Sequence, residues 1–482
     1  MAGRQCHKRL WLDVHAPERA EISDATERVF QIGHDVGEVA QTLWPHGILV
    51  GHDQELDEAL RETAAHLSGD DAVTLFEGTV RANGVLIRAD ILTRDDNNEL
   101  RLVEVKASTS VKPHFIDDCA IQVWVLEESG FTLGSVELAH VNNQFVYGGD
   151  GDYNGLLKLI DVGESVRDRI AEIPRFVSEL QDMLAESEPS IKIGAHCHQP
   201  YDCPFLNYCT PPQPPYPVTA LPGGRRVSEP LLADGIDDIR DVPAGRLTSK
   251  IAEWARAVTV AGEPELRPAA AVELNTLVWP RYYFDFETVS FAVPIWAGTR
   301  PYQALPFQWS CHVESEDGTV GHHEYLADGD EPPMRACAEG LIEALGEDGP
   351  ILVYTGYEQG VLRALASRFP DLASQLEAII QRLFDLHPVT KANYYHPDML
   401  GSWALKKVLP TVASDLSYQE LGMVSEGLQA SDAFLQLLDD KLGAEERKAL
   451  RQALLDYCKL DTLALVRLAH FLSGEAAGAE TV

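Results

Sequence analysis

The segment Gly84–Ser108 reads GVLIRADILTRDDNNELRLVEVKAS. Two runs of alternating apolar and polar residues flank Asp95–Asn98, whose DDNN sequence favours a turn, so the segment predicts a β-hairpin. Asp90 lies on the first predicted strand, and Glu104 and Lys106 lie on the second. Since side chains alternate along a strand, Glu104 and Lys106 share a face that Asp90 can oppose. The segment therefore predicts two carboxylates and an ammonium in one small site.

These three side chains suit phosphodiester hydrolysis. Carboxylate oxygens bind Mg²⁺ or Mn²⁺, such an ion lowers the pKa of an attacking water, and a nearby cation orients that water. The alternative is an exposed cross-strand ion pair, which would contribute only about 0–1 kcal/mol. The neighbouring sequence favours the site, because the second strand is apolar and is followed by a predicted amphipathic helix carrying Gln122. A helix predicted to begin after the capping residue Ser23 carries His34.

A loop rich in proline and aromatic residues, CHQPYDCPFLNYC, contains Cys197, Cys203 and Cys209 at even spacing. The charged N-terminal residues and the absence of a long apolar segment predict a cytoplasmic protein without membrane association. In a reducing compartment, a regular cysteine cluster indicates a bound metal rather than disulfides. Apart from Cys6, the remaining cysteines lie in apolar sequence and are expected to be core thiols, namely Cys119, Cys311, Cys337 and Cys458.

Length and charge limit the functional classes. The chain has 482 residues and a net charge of -36, and its length favours about two to three domains. Such an acidic protein does not hold nucleic acid through its whole surface, so any contact with phosphates must be local. The Pro-rich stretch Thr210–Gly224 predicts a linker, a helical connector continues to residue 280, and a second α/β pattern begins at Arg281. The tail from Ser473 is expected to be flexible.

The second α/β pattern carries another set of acidic residues. RYYFDFETVSF, which starts at Arg281, places Asp285 and Glu287 on one face of a predicted strand. In PILVYTGYEQGVLRALA a strand breaks at a glycine before a helix that begins near Glu358. Tyr457 and Asp461 lie one turn apart on a late helix. Two metals about 4 Å apart require carboxylates brought together in this way. Lesser candidates are Lys406, Lys407 and Asp385.

The motifs IRAD and LVEVKAS, with Gln122, the initial RQCHKRLWL and the cysteine loop, resemble PD-(D/E)XK nucleases of the RecB type that hold an iron–sulfur cluster. The resemblance covers residues 1–209. It implies that Asp90 and Glu104 bind Mg²⁺ or Mn²⁺, that Lys106 assists the water, and that Gln122 supports the site. It also implies that His34 is the first-helix histidine of such enzymes, whereas Leu126 occupies the position of their usual tyrosine. The ligands it implies for a 4Fe–4S cluster are Cys6, Cys197, Cys203 and Cys209, and zinc remains the alternative.

The motifs of the second half resemble RNase H-like DEDD exonucleases. The resemblance implies that Asp285, Glu287 and Asp461 bind metal, that Tyr457 belongs to a tyrosine-type third motif, and that Glu358 stands where the second motif usually has Asp. Together the two halves resemble an uncharacterised bacterial family. The resemblance implies an α/β protein with a restriction-endonuclease-like core in residues 1–209, a connector in 210–280, an RNase H-like domain in 281–472 and a tail in 473–482.

The function expected from these motifs is a metal-dependent nuclease acting on DNA ends or single strands in repair, recombination or defence. DNA is favoured over RNA as the partner, and helicase or repair partners remain open. One alternative is an RNA-processing 3′–5′ exonuclease led by the C-terminal half. Another is a nucleic-acid-binding scaffold with a structural cluster and degenerate sites.

Overall fold

The computed structural model is a mixed α/β protein, which confirms the α/β class expected from the sequence. The chain separates into two compact units: unit 1 comprises Met1–Pro211 and Ser290–Gln303, and unit 2 comprises Pro212–Val289 and Ala304–Val482. No helix among the described residues combines the length and the apolar character that crossing a bilayer requires. The described residues are 1–51, 55–69, 71–94, 99–327, 329, 331–424, 426–439 and 441–475.

A six-stranded sheet forms the centre of unit 1, and its strands lie in chain order. They are β1 Ile48–Leu49, β2 Val73–Ala82, β3 Val85–Arg94, β4 Leu100–Lys106, β5 Leu133–Val141 and β6 Leu157–Asp161. The pairs β1–β2 and β4–β5 are parallel, and the other neighbours are antiparallel. The helices of unit 1 are α1 Ala2–Gln5, α2 His7–His15, α3 Asp24–Thr42, α4 Leu56–Leu67, α5 Pro113–Glu128, α6 Gly163–Ile170, α7 Ile173–Leu184 and α8 Leu206–Cys209.

The predicted hairpin strands are present as β3 and β4. They pair antiparallel from Ile91 opposite Val103 to Arg94 opposite Leu100. Their aliphatic and β-branched residues suit a pleated surface that is packed on both faces. The predicted turn at Asp95–Asn98 lies outside the described residues.

Helix α5 differs from the amphipathic helix expected after the hairpin. It contacts β2, β3 and β5 as well as α6 and α7. Cys119, Val123 and Leu126 are fully buried, and Gln122 is 5 % exposed. A helix covered on several sides requires apolar residues on more than one face. The amide of Gln122 therefore lies in a buried environment in which it needs a polar partner.

Helix α3 begins where the sequence predicts. Ser23 Oγ accepts a hydrogen bond from the Thr26 amide at 3.3 Å, as an N-cap residue does. Val36 is fully buried, whereas Val29 and Phe30 are 55 % and 56 % exposed. Ser23 thus predicts the start of the helix correctly, and the buried residues of the helix, Val36 and Ala40, lie in its second half.

Five strands form the main sheet of unit 2 in the order β10-β9-β8-β11-β12, with β8 at its centre. The strands of this unit are β7 Glu265–Leu266, β8 Arg281–Val289, β9 Leu305–Glu314, β10 Val320–Leu326, β11 Ile351–Val353, β12 Leu383–Asp385 and β13 Tyr394–Tyr395. Strands β8, β11 and β12 are parallel, and β9 is antiparallel to β8 and β10.

The helices of unit 2 belong to the same compact unit as this sheet, and several of them contact it. They are α9 Arg225–Ala233, α10 Lys250–Ala261, α11 Ala269–Leu274, α12 Met334–Leu345, α13 Tyr357–Arg368, α14 Ala373–Gln381, α15 Leu386–Asn393, α16 Leu405–Val412, α17 Gly427–Leu437 and α18 Ala444–Ser473. Helix α18 contacts β8 and β9. The part of the expected flexible tail that follows Glu475 lies outside the described residues.

Residues 210–280, expected to be a linker and a connector, belong to unit 2 from Pro212 onward. Val218 and Leu221 of the Pro-rich stretch and Leu231 of α9 are buried in the core of that unit. Proline prevents a long helix or an inner strand here, but it does not prevent apolar neighbours from packing. Residues 210–280 therefore contribute to the core of unit 2 as well as connecting parts of the chain.

Within residues 281–472, the bounds of unit 2 differ in one segment from those of the expected domain. The segment Ser290–Gln303, which connects β8 to β9, belongs to unit 1. There the Gly298 amide donates to the Tyr147 carbonyl at 2.7 Å, and the Tyr147 amide donates to the Thr299 carbonyl at 3.0 Å. These bonds join residues far apart in the sequence, so periodicity and composition could not predict them.

Candidate active sites

The N-terminal candidate site forms where β3 and β4 separate. Their ladder ends at Ile91 opposite Val103. Beyond this pair, the carboxylate Oδ2 of Asp90 accepts the main-chain N–H of Val105 at 2.7 Å. The carboxylate thus replaces a ladder hydrogen bond, which satisfies that amide and fixes the Asp90 side chain between the two strands.

Glu104 and Lys106 are held by further polar side chains. Lys106 Nζ lies 2.6 Å from Glu104 Oε1 and 2.9 Å from Asp118 Oδ2. Gln122 Nε2 donates to Glu104 Oε2 at 2.7 Å. Each Glu104 oxygen therefore has one donor and keeps a second lone pair for another ligand. The structure brings Asp90, Glu104, Lys106 and Gln122 into one cluster.

Burial and charge shift the titration of this cluster. Burial, and then the charge of Glu104, raises the pKa of Asp90 well above its ordinary value. Burial also raises the pKa of Glu104. Burial disfavours the ammonium of Lys106, but the surrounding carboxylates outweigh it, so the pKa of Lys106 is raised. Closely spaced, buried carboxylates repel one another, and a bound cation would relieve that repulsion.

Two acidic side chains near this site do not follow from the motifs. Asp118 of α5 pairs with the ammonium described above. Glu77 of β2 lies opposite Asp90, because Phe76 pairs with Ile91 and Gly78 with Ala89 in an unbroken register, and its charge acts on Asp90. This position depends on the register of β2 against β3, which the motifs do not give.

His34 is the predicted residue for which the described structure shows no bond to this cluster. It is exposed on α3 and, within the described chain, makes no hydrogen bond or ion pair with the charged residues of the site. Leu126, at the position of the usual tyrosine, is fully buried in the core of unit 1. The buried contacts of α5 account for an aliphatic residue there.

The four predicted cysteine ligands line one small cavity in unit 1. Cys6 is the single residue between α1 and α2, and its backbone is extended. The others come from the loop in which the Cys203 amide donates to the Cys197 carbonyl at 2.8 Å, and the Cys209 amide donates to the Phe205 carbonyl at 3.0 Å. The cavity is lined by Cys6, Lys8, Arg9, Leu12, Ile191, Lys192, Ile193, His196, Cys197, Cys203, Phe205, Leu206 and Cys209.

The environment of the thiols combines burial with positive charge. Burial raises the pKa of Cys203 and of Cys209, while Arg9 acts against the shift at Cys203 and Lys8 against that at Cys209. Among the described residues, one set of three or more His, Cys, Asp or Glu ligand atoms lies within 4.8 Å, and it is in unit 2. No three of the four sulfurs therefore lie within 4.8 Å of one another, whereas the sulfurs on one tetrahedral zinc ion are all roughly 3.8 Å apart.

The C-terminal candidate site lies on the central strand of the unit 2 sheet. Asp285 and Glu287 of β8 face α18, which carries Asp461 and Cys458. Ligand atoms of Asp285, Glu287 and Cys458 lie within 4.8 Å of one another. Burial and the neighbouring carboxylates raise the pKa of Asp285 and of Glu287 well above their ordinary values. Glu358 joins this group from the first turn of α13.

Glu358 is the most deeply buried carboxylate of the site. It is 2 % exposed, and its Oε2 has no hydrogen-bond partner among the described residues. Burial raises the pKa of Glu358 to about 8, and its carboxyl group hydrogen-bonds that of Asp285. A buried acceptor of this kind is costly unless a ligand or water satisfies it. The longer acid at this motif position therefore reaches the other carboxylates.

Aromatic and basic side chains complete the C-terminal site. Tyr418 Oη donates to Asp461 Oδ1 at 2.5 Å. Burial raises the pKa of Asp461 to about 6, and this hydrogen bond acts against the shift. Lys406 Nζ lies 5.0 Å from the centre of the Tyr418 ring and 5.1 Å from that of Tyr457. The charge of Lys406 acts on Glu287 and Asp461, so the lysine is suited to meet a phosphate. The sequence did not predict Tyr418.

Of the lesser candidates, Asp385 makes local hydrogen bonds and Lys407 is exposed to solvent. Asp385 caps α15 by accepting the His387 amide at 2.9 Å, and the same oxygen accepts the Thr355 amide at 2.8 Å. Thr355 has a φ of 89°, a strained value for a β-branched residue. Asp385 therefore supports the turn before α13. Lys407 is exposed on α16.

The raised pKa of Glu358 predicts a pH-dependent stability of the metal-free protein. An acid whose folded pKa lies above its ordinary 4.5 loses its favourable contribution as pH rises from about 4.5 towards about 8. We expect Glu358→Gln to reduce the fall in unfolding free energy between about pH 5 and about pH 8 by on the order of 2 kcal/mol.

Urea titrations of chelator-treated protein, followed by tryptophan fluorescence, measure this difference. The exposed Glu377 provides a control, because Glu377→Gln should track the unmodified chain. Identical pH dependence in the Glu358→Gln variant and the unmodified chain would contradict the prediction.

Comparison with known proteins gives one partial match. Residues 282–404 match a family described as a domain of unknown function, DUF2779. The match includes Asp285, Glu287 and Glu358 but ends before α18. No curated protein and no solved structure matches the chain. The match is consistent with an uncharacterised family.

Proposed function

We propose that the chain is a metal-dependent nuclease that hydrolyses phosphodiester bonds of DNA, at ends or on single strands, in cytoplasmic repair, recombination or defence. The observation that carries the proposal is the N-terminal cluster. Asp90 takes a hydrogen bond from β4 where the ladder ends, and Glu104 and Lys106 lie beside it. An exposed structural ion pair does not require a buried second carboxylate and a buried glutamine.

Each residue of this cluster has a separate role in the proposed hydrolysis. Asp90 and Glu104 would hold Mg²⁺ or Mn²⁺, which when bound polarises the phosphate and lowers the pKa of a water. Gln122 fixes the orientation of Glu104. Lys106, held between Glu104 and Asp118, keeps its proton and can orient the attacking oxygen through a hydrogen bond.

The C-terminal carboxylates support a second nuclease site. Asp285 and Glu287 on a central strand, with Glu358 and Asp461 on helices, provide the oxygen ligands that paired divalent cations require. The mixed five-stranded sheet supports an RNase H-like fold, and the order of helix α3, hairpin and helix α5 supports a restriction-endonuclease-like core. Lys406 would meet a phosphate of the bound strand.

A 4Fe–4S cluster on Cys6, Cys197, Cys203 and Cys209 fits the cysteine cavity better than one zinc ion. No three of the sulfurs lie within 4.8 Å of one another, as they would on a single tetrahedral ion, whereas each cysteine of a cluster ligates a different iron. Lys8 and Arg9 beside the thiols favour the thiolate form that either metal centre needs.

The cluster assignment predicts that Cys203→Ala loses iron and stability together. Joining Cys6 to Cys197 closes a loop of about 190 residues, and the chain-entropy account assigns such a link about 5 kcal/mol. Protein purified without oxygen should be brown and contain iron and sulfide, and the variant should be colourless and unfold at lower urea.

Cys337→Ala is the matched control, because Cys337 is a buried thiol outside the cavity. It should keep the iron. Colourless unmodified protein with stoichiometric zinc would reject the cluster, and an iron content unaffected by Cys203→Ala would reject this ligand set.

The proposed function is tested by incubating the purified full chain with single-stranded, duplex and end-labelled DNA, and with matched RNA, in Mg²⁺, Mn²⁺ or chelator. We expect metal-dependent cleavage of DNA. Cleavage of RNA alone would replace the proposal with an RNA-processing exonuclease. Binding without cleavage under every condition would favour a scaffold.

A further inference from the structure

We infer that Cys458 adds a sulfur ligand to the C-terminal carboxylate site, so that the site binds Zn²⁺ with Asp285 and Glu287 and is selective for it over Mg²⁺. The consequence for activity, inhibition by Zn²⁺, rests on the proposed nuclease function. The binding itself does not.

The geometry of Cys458 differs from that of the other buried thiols. Its Sγ and the carboxylate oxygens of Asp285 and Glu287 lie within 4.8 Å of one another, which is unique among the described residues. Cys458 is fully buried, and its thiol donates to the Asp285 carbonyl at 4.0 Å. Cys458 and Asp461 lie three residues apart on α18, so both reach the same side of the helix.

A second observation indicates that the site can accept a ligand. Oε2 of Glu358 is buried without a hydrogen-bond partner among the described residues, and the carboxyl group of Glu358 contacts Asp285. The side chain is 2 % exposed, so bulk water does not satisfy this oxygen. A metal-bound water beside Asp285 would supply the missing donor.

The chemistry of the ligand set determines which cation binds most tightly. Zn²⁺ accepts cysteine sulfur and carboxylate oxygen, and three protein ligands leave its fourth position open to water. Mg²⁺ requires near-octahedral oxygen ligands, and thiolate favours softer ions. When the Zn–S bond forms, the S–H bond breaks and its proton passes to solvent.

Binding of Zn²⁺ has a direct consequence for the carboxylates. Asp285 and Glu287 would bind the same Zn²⁺ ion as the Cys458 thiolate. These are the oxygens that the proposed Mg²⁺ or Mn²⁺ ions require. Low Zn²⁺ concentrations should therefore inhibit cleavage by the C-terminal site even in excess Mg²⁺.

The test uses the full chain and does not require activity. Zn²⁺ affinity is measured by competition with a chromophoric chelator, and Cd²⁺ is added separately to record the ultraviolet thiolate-to-Cd²⁺ charge-transfer band. Cys458→Ala should lower Zn²⁺ affinity at this site by about 100-fold or more, since even outer-shell changes cost 10–100-fold. It should also remove one equivalent of the cadmium band.

Controls separate this site from the cysteine cavity and from misfolding. Cys337→Ala, which removes a buried thiol elsewhere, should bind both ions as the unmodified chain does. The four thiols of the cysteine cavity are present in every variant, so their contribution to Zn²⁺ binding and to the cadmium band is the same in each. Cys458→Ser, which is close in volume, carries the test if Cys458→Ala does not fold.

Equal Zn²⁺ affinity and an equal cadmium band in the unmodified chain and Cys458→Ser would overturn the inference. Loss of both in that variant supports it. If that loss is found in a chain that cleaves no substrate with any metal, the zinc site stands and the proposed nuclease function fails.

Discussion

We expect Lys106→Met to lower metal-dependent cleavage by the N-terminal site by at least about 10³-fold, measured in a chain whose C-terminal site is disabled by Asp285→Asn. Methionine approximates the aliphatic stem of lysine but cannot donate a hydrogen bond. Lys106 Nζ lies between Glu104 and Asp118, so its loss also leaves two carboxylates facing each other. The variant should therefore lose the means to orient water.

Arg101→Met on the same strand is the matched control. Arg101 pairs with Glu137 away from the site, and this partly exposed ion pair contributes little to stability. The control should cleave as the parent does. Equal rates for Lys106→Met and Arg101→Met would remove Lys106 from the mechanism.

We expect Asp285→Asn to lower nucleotide release by the C-terminal site by about 10³-fold or more, measured in a chain that carries Lys106→Met. Asp285 touches Glu358 and lies next to Glu287 and Asp461. A metal ion held by any of these three carboxylates could therefore also bind Asp285. The amide keeps the shape of the side chain but removes its charge.

The parent activity of this site should be weak and should favour Mn²⁺, because Mg²⁺ tolerates imperfect octahedral geometry poorly and Glu358 is longer than the usual acid. Asp371→Asn provides a control, since Asp371 forms an exposed pair with Arg335. Release of nucleotides at the parent rate by Asp285→Asn would mean that this carboxylate has no role in the reaction.

Local patterns predict the part of each site that lies on one element. Alternation along β4 places Glu104 beside Lys106, and helical spacing places Tyr457 near Asp461. Such patterns depend on backbone geometry over a few residues. The antiparallel partnership of β3 and β4 follows in the same way, because the two strands are adjacent in the sequence.

The missing residues depend on contacts between distant elements. Cys458 is buried, as its apolar sequence predicts, but its position beside Asp285 depends on how α18 packs on β8. Tyr418 reaches Asp461 from a different segment, and Glu77 reaches Asp90 from the neighbouring strand β2. Hydrophobic patterning reports that a residue is buried and does not identify its neighbours.

The segment Ser290–Gln303 has a consequence for synthesis on the ribosome. Ala292 is buried in the same cluster as Val36 and Phe76 of unit 1, yet it follows strand β8 of unit 2 in the chain. Domains generally fold as units in the order of their emergence, but unit 1 cannot complete this cluster until residue 303 has left the exit tunnel. The nascent chain must therefore hold an unfinished first unit while part of the second is already made.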